Sequence, residues 1–211
     1  MDSLIFQEAP VLFISAVAVA LVASVLTWNK YVAATVPVVI LALYFLYRAP
    51  ERVSSGAKDA IVAPVDGRVL QIKEDESFIE LVFFVHELDP QVQWMPYKGT
   101  VKSIKEEGSR TNANWIKYDM HNVADNRRVA TTIGTPKGDI VVEQIRSIGT
   151  FQTDVFPDVE EKVEQSGHLG YMMFPARIDL KIPKACNVVV HQGQEVRGGR
   201  TVVAEFPGTN E

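Results

Sequence analysis

Two uncharged runs near the N-terminus constrain this chain more than any other feature. From Ala9 to Asn29, and again from Tyr31 to Tyr47, there is no Asp, Glu, Lys or Arg, and Lys30 alone separates the two. Backbone in so apolar a setting must satisfy its own hydrogen bonds, which helices do internally. At ~1.5 Å per residue the runs reach roughly 31 and 26 Å, near the hydrocarbon thickness of a bilayer. Trp28, Tyr31, Tyr44 and Tyr47 fall where interfacial anchors belong. Residues 1–50 are therefore expected to form a two-helix transmembrane hairpin. Ala16-Val17-Ala18 has the small-residue pattern of a signal-peptide cleavage site, but Asp2, Glu8 and the second apolar run argue against cleavage. Arg48, Arg52 and Lys58 follow the second run, and positive flanks favour the cytoplasm. The expectation is a multi-pass protein of the cell membrane whose remaining chain faces the cytoplasm.

That remainder, about 160 residues, is ample for one core. The net charge of −5 leaves no basic face for nucleic acid. A single cysteine, Cys186, excludes an intramolecular disulfide framework and suits a reducing compartment. Residues 51–60 read as a polar linker, and 61–211 as a mainly β domain. Val, Ile and Phe recur there in short runs punctuated by Gly, Pro, Asp and Asn. Only Asp158 to Gln165, short and acidic, has a helical look.

The β region also echoes itself. "APVDGRVLQI" from Ala63 and "MPYKGTVKSI" from Met95 share Pro, then Gly three residues on, then Val and Ile. Each reads as a tight turn feeding a strand, since Pro presets φ and Gly is permissive. Gly193, Val196, Gly199 and Val202 repeat the idea. Such turns join short strands in barrel-sandwich domains, and that is the expected fold of the soluble part. Lys98 lies in one turn without the acidic or methionine neighbours of a swinging-arm carrier, and reads as solvated surface.

Five segments, in order, resemble the phosphatidylserine decarboxylase family in its short bacterial and archaeal form. They are "YRAPER" at 47–52, "VAPVDGRV" at 62–69, "FFVHELDPQVQWMPYKGTV" at 83–101, "DNRRVATTIGTPKGDIVVEQIRSIG" at 125–149 and "FPARIDLKIP" at 174–183. The resemblance implies a chain that cuts itself at Gly-Ser and converts the serine to a pyruvoyl group. That carbonyl forms a Schiff base with the substrate amine and takes up electrons as CO₂ leaves. An Asp and a His assist the proton transfers.

Carried over residue by residue, the resemblance implies lost chemistry. The serine position is Ala176, which has no oxygen with which to attack, and the glycine position is the rigid Pro175. The histidine falls on Gln91, a second histidine of longer members on Trp94, and a family glutamate on Arg127. Asp66 alone keeps its family identity, although an Asp before Gly67 is also an ordinary turn residue. The pyruvoyl group is accordingly expected to be absent.

No substitute stands out. Gly108-Ser109 lies in a polar stretch without strand pattern, Cys186 reads as inert filler, and His86, His121, His168 and His191 lack metal-ligand spacing. The leading expectation is an unprocessed, membrane-anchored relative that binds a lipid head group, or pairs with and regulates an active lipid-synthesis enzyme, with a homo-oligomer as the other partner expected. Arg48 and Arg52 are the weak candidates for holding phosphate. The alternatives are an active phosphatidylserine or archaetidylserine decarboxylase with a non-standard site, and a structural membrane adaptor. Adaptors of that kind carry a long coiled coil, and no sustained heptad run exists here.

Overall fold

The computed structural model describes residues 48–53, 59–86, 89–109, 125–146, 150, 153–172 and 177–208, with scattered positions between 15 and 41. It divides into two compact units, Met1–Glu51 and Arg52–Glu211. In the first, positions 15, 17–19, 21–23, 35, 37–38 and 40–41 are helical. Among the described residues no helix is long and apolar enough to cross a membrane. The expected transmembrane hairpin thus finds no support there, and most of both apolar runs lies outside the described residues.

Among the described residues of the second unit, every regular element is a strand. In chain order it holds β1 (Ala60–Val62), β2 (Gly67–Glu74), β3 (Phe78–Phe84), β4 (Val92–Trp94), β5 (Gly99–Glu107), β6 (Arg128–Thr135) and β7 (Gly138–Ile145). Then come β8 (Thr153–Val155), β9 (Lys162–Val163), β10 (His168–Met172), β11 (Arg177–Pro183), β12 (Asn187–Val188), β13 (Glu195–Val196) and β14 (Val202–Glu205). An eight-stranded sheet has the order β13-β2-β3-β11-β7-β6-β5-β9, and two three-stranded sheets run β1-β14-β12 and β4-β10-β8. The mainly β expectation is correct.

The same seven-strand pattern is written twice. β1, β2, β3 and β11 to β14 form one copy, and β4 to β10 form a second one set between β3 and β11. The registers match in detail. Arg68 opposite Phe84 answers Thr100 opposite Gly134, and the bulge at Val69/Gln71 answers that at Val101/Ser103. Val196 opposite Gly67 answers Val163 opposite Gly99. The echoed turns clasp each other reciprocally: Val62 N–H donates to the Pro96 carbonyl (2.9 Å) and Trp94 N–H to the Pro64 carbonyl (2.8 Å). Leu180 opposite Val142 marks the centre of the arrangement, and both are fully buried.

Period-2 alternation sets the two faces of the large sheet. Ile79, Leu81, Phe83, Ile178, Leu180, Ile182, Ile140 and Val142 enter the core, each stabilising by about 1.5–3 kcal/mol when fully buried. Arg177, Asp179, Lys181, Glu80 and Glu143 lie on the opposite face, joined by ion pairs. The segment from Asp158 to Gln165 is not a helix. It carries β9, paired to β5, and Glu160 there has φ 73°, a conformation no right-handed helix contains.

Candidate functional site

Asp66 sits in the turn between β1 and β2, ahead of Gly67. Gly67 has φ 149°, and a Cβ there would run into the Phe84 carbonyl, so only glycine lets the turn approach β3. Asp66 Oδ2 accepts from Arg52 Nη2 at 2.9 Å, and Oδ1 accepts from the Gly198 N–H at 2.7 Å. The two side chains are 14% and 9% exposed, so this pair is shielded from solvent. The Arg52 guanidinium carbon lies 4.8 Å from the ring centre of Trp94, which is fully buried. Burial pushes the Asp66 carboxyl above the usual aspartate range, with the Asp89 charge adding to it. The Arg52 charge and the bonds from Gly198 and Arg52 hold it down only in part.

Gln91 lies just before β4 and is buried. Its Nε2 donates to the Asp89 carbonyl at 3.0 Å. Its own carbonyl accepts two donors, the Met172 N–H at 3.1 Å and Gln93 Nε2 at 2.8 Å. Met172 ends β10, so Gln91 borders the segment 173–176 that leads to β11. Pro175 and Ala176 lie within that segment, outside the described residues. On its far side Arg177 grips Asp179 through both Nε (2.7 Å) and Nη2 (2.6 Å).

Candidate positions scattered over the sequence thus share one neighbourhood. Asp66 feels the Asp89 charge, Trp94 stacks on the partner of Asp66, and Gln91 touches the strand end preceding Pro175. Arg127 is exposed away from these groups' hydrogen bonds, its carbonyl accepting from the Arg146 N–H (2.8 Å). Gly108-Ser109 follows β5, with φ 82° at Gly108 and the Ser109 N–H on the Asp125 carbonyl (3.2 Å), as an ordinary loop does. Burial pushes the Cys186 thiol up to about 11, which leaves little thiolate near neutral pH. Lys98 is exposed, Arg48 belongs to the first unit, and His121 lies outside the described residues.

Glu80, Glu143 and Asp179 bring carboxylate oxygens within 4.8 Å of one another. Each already faces a cation: Lys181 and Arg128 on Glu143 (2.6 and 3.4 Å), Lys73 on Glu80 (3.1 Å) and Arg177 on Asp179 (2.6 Å). A divalent ion would have to displace these partners, so the group is an ion-pair network. Burial raises the Asp179 carboxyl; Arg177 opposes the shift, while Glu80 and Glu143 add to it.

Sequence reasoning missed four participants: Gly198, Gln93, Gln144 and the buried role of Arg52. The Gly198-Gly199 pair was the one available signal, since adjacent glycines mark close backbone approach.

Comparison with known proteins follows this geometry. A family model described as phosphatidylserine decarboxylase matches residues 40–204. A phosphatidylserine decarboxylase proenzyme of Porphyromonas gingivalis is 29% identical over 187 residues, covering 82% of this chain and 83% of its own. Proteins of the same name from Bacteroides thetaiotaomicron (26% over 185 residues, 81% and 79% covered) and Amoebophilus asiaticus (25% over 182 residues, 82% and 80%) are also similar. No solved structure matches.

Proposed function

The chain belongs to the phosphatidylserine decarboxylase family, and from that premise we propose that it is an unprocessed member without pyruvoyl-dependent activity. One observation carries the reading: Pro175-Ala176 stands where the family resemblance calls for Gly-Ser. A pyruvoyl group is made from a serine whose hydroxyl attacks the preceding carbonyl. Alanine offers only a methyl group, so the residues present do not fit the cofactor. The neighbouring groups agree with this. Gln91 has no basic nitrogen near neutral pH, and its amide is committed to the Asp89 carbonyl. Asp66 is tied to Arg52 and Gly198.

The apolar runs at 9–29 and 31–47 support membrane anchoring, with the β unit on the cytoplasmic side. The mirrored strand order and clasped turns support a barrel-sandwich reading of that unit. In this role the protein would bind an amino-phospholipid or anionic head group, or pair with and regulate an active lipid-synthesis enzyme, or form a homo-oligomer. Arg48 and Arg52 are the candidates for a head-group phosphate, and binding at Arg52 would compete with Asp66 and Trp94, against which its guanidinium is buried. The reading of an active enzyme with a non-standard site rests on Asp66, kept in a shielded setting that raises its pKa.

Denaturing mass analysis tests the proposal. One polypeptide near 23.4 kDa that releases no CO₂ from a serine phospholipid is expected. Two pieces split near residue 175, the smaller with a blocked N-terminus, would overturn it. An intact chain that releases CO₂ would establish the non-standard site instead.

A further inference from the structure

The nested copies provide an internal control for one polar pair. Gln93 on β4 and Gln144 on β7 are fully buried, and Gln144 Nε2 donates to Gln93 Oε1 at 2.8 Å. By register, Ile61 and Ile182 answer them in the first copy. Ile61 opposes Ala204 as Gln93 opposes Gly170, and Ile182 opposes Ile79 as Gln144 opposes Val129. Both isoleucines are fully buried too. The fold itself therefore accepts apolar residues at this place. The polar pair even carries a penalty: Gln144 Oε1 is buried and accepts no hydrogen bond, which is unfavourable for a desolvated carbonyl oxygen.

The pair's other bond shows what it accomplishes. Gln93 Nε2 donates to the Gln91 carbonyl, the same oxygen that receives the Met172 N–H. In the first copy the Asp59 carbonyl receives the Phe206 N–H in the same way, at 3.0 Å, and Ile61 has no donor to add. The two exits then differ. After Phe206 no further strand follows among the described residues. After Met172 the chain must pass from one sheet through 173–176 into β11 at the centre of another. The extra donor is present where the exit leads into the candidate site.

We propose that Gln93 and Gln144 are positioning residues that fix the Gln91 carbonyl, and through it the Met172 amide at the end of β10, beside the Asp89 carbonyl that holds the Gln91 side chain. This deepens the reading of Gln91 as a residue of the candidate site, and holds whether or not the chain is cut. The test is hydrogen exchange by mass spectrometry on the intact full chain carrying Gln93→Ile with Gln144→Ile, which makes the second copy resemble the first. A peptic peptide containing Met172 is expected to exchange about tenfold faster or more, as a locally opened amide does. The peptide containing Phe206 should be unchanged, and the thermal midpoint equal to wild type or higher. Gln93→Met alone should give the same acceleration with little change in volume. Failure of the double variant to fold, or a lower midpoint, would make the pair a packing requirement and overturn the proposal. Wild-type exchange at Met172 in either variant would overturn it as well. The intact-mass measurement decides the pseudoenzyme reading separately.

Discussion

The two copies within the β unit share a backbone plan and differ where the plan is interrupted. The second copy closes β6 onto β7 with the short hairpin Thr135–Gly138, whose Thr135 Oγ1 donates to the Gly138 carbonyl at 2.6 Å. The first copy opens the equivalent connection, between β3 and β11, to admit the whole second copy. The entry and exit of that insertion meet where Met172 bonds to Gln91. The fold is twofold, yet the candidate site is single because only one copy is interrupted. Side chains that differ between equivalent positions mark it: Asp66 against exposed Lys98, and Gln93 and Gln144 against Ile61 and Ile182.

The largest expected difference lies at the start of the central strands. Arg177 opposes Phe84 as Asp139 opposes Gly134, so the two residues are equivalent. Arg177 pairs with Asp179 in a buried setting, whereas Asp139 meets Lys102 with both side chains about half exposed. Arg177→Met would strand the Asp179 carboxylate between Glu80 and Glu143, at about 3–5 kcal/mol. Asp139→Asn should change stability by less than about 0.5 kcal/mol. Acid reports the cause. The Asp179 carboxyl is raised in the folded chain, so its own contribution is fullest below the ordinary aspartate pKa and is lost as pH climbs through the raised one. Without Arg177 it titrates higher still. The variant's deficit, read by urea unfolding, should therefore be greatest at pH 7 and shrink towards pH 4. A deficit independent of pH would break the assignment.

An intermediate effect is expected from exchanging the buried residues in the other direction. Ile182→Gln places an amide in the first copy where Ile61 offers no partner, at about 2–3 kcal/mol. Gln144→Ile in the second copy removes one unmet buried oxygen, its own, while leaving Gln93 Oε1 without its donor, so the two terms offset and stability should shift by less than about 1 kcal/mol. Equal losses in both copies by denaturant titration would show that the equivalence of these positions is only one of backbone.

Local chemistry was legible in the sequence, and pairing across distance was not. The Pro-x-x-Gly echo follows from turn preferences, and β2 and β5 begin at its glycines. The resemblance singles out Asp66, Gln91 and Ala176 because motifs survive as strings, and of these Ala176 lies outside the described residues. The nesting of one copy in another leaves no local trace, since β11 completes a pattern begun at β1. Gln93 stands between Val92 and Trp94 as a solvent-facing residue would, and Gln144 follows Glu143 in a polar pair, so only the structure reveals that both are buried. Arg52 read as an interfacial cation because nothing in its surroundings announces an aspartate fourteen positions on. The acidic run 158–165 suggested a helix because its turn residue is glutamate, where the first copy uses glycine.

That last substitution yields the finest comparison. Gly193 and Glu160 are equivalent, bonding Val69 and Val101 respectively through their N–H groups (both 2.7 Å), with φ of 87° and 73°. A Cβ at Gly193 would meet nothing within 4 Å, so Gly193→Ala carries backbone strain alone, about 1 kcal/mol. Glu160→Gly relieves that strain while loosening the unfolded chain, and the balance should stabilise by less than about 1 kcal/mol. The other matched pair bounds the inference. Ser166 has φ 66° where Gly199 has 68°, but Ser166 Oγ donates to the Gly199 carbonyl at 2.7 Å. Ser166→Gly loses a bond worth about as much as the strain it relieves, and its thermal midpoint should fall at or below that of wild type. A midpoint raised by Glu160→Gly but not by Ser166→Gly would show that the second copy tolerates its left-handed serine for that clasp, and its left-handed glutamate for nothing.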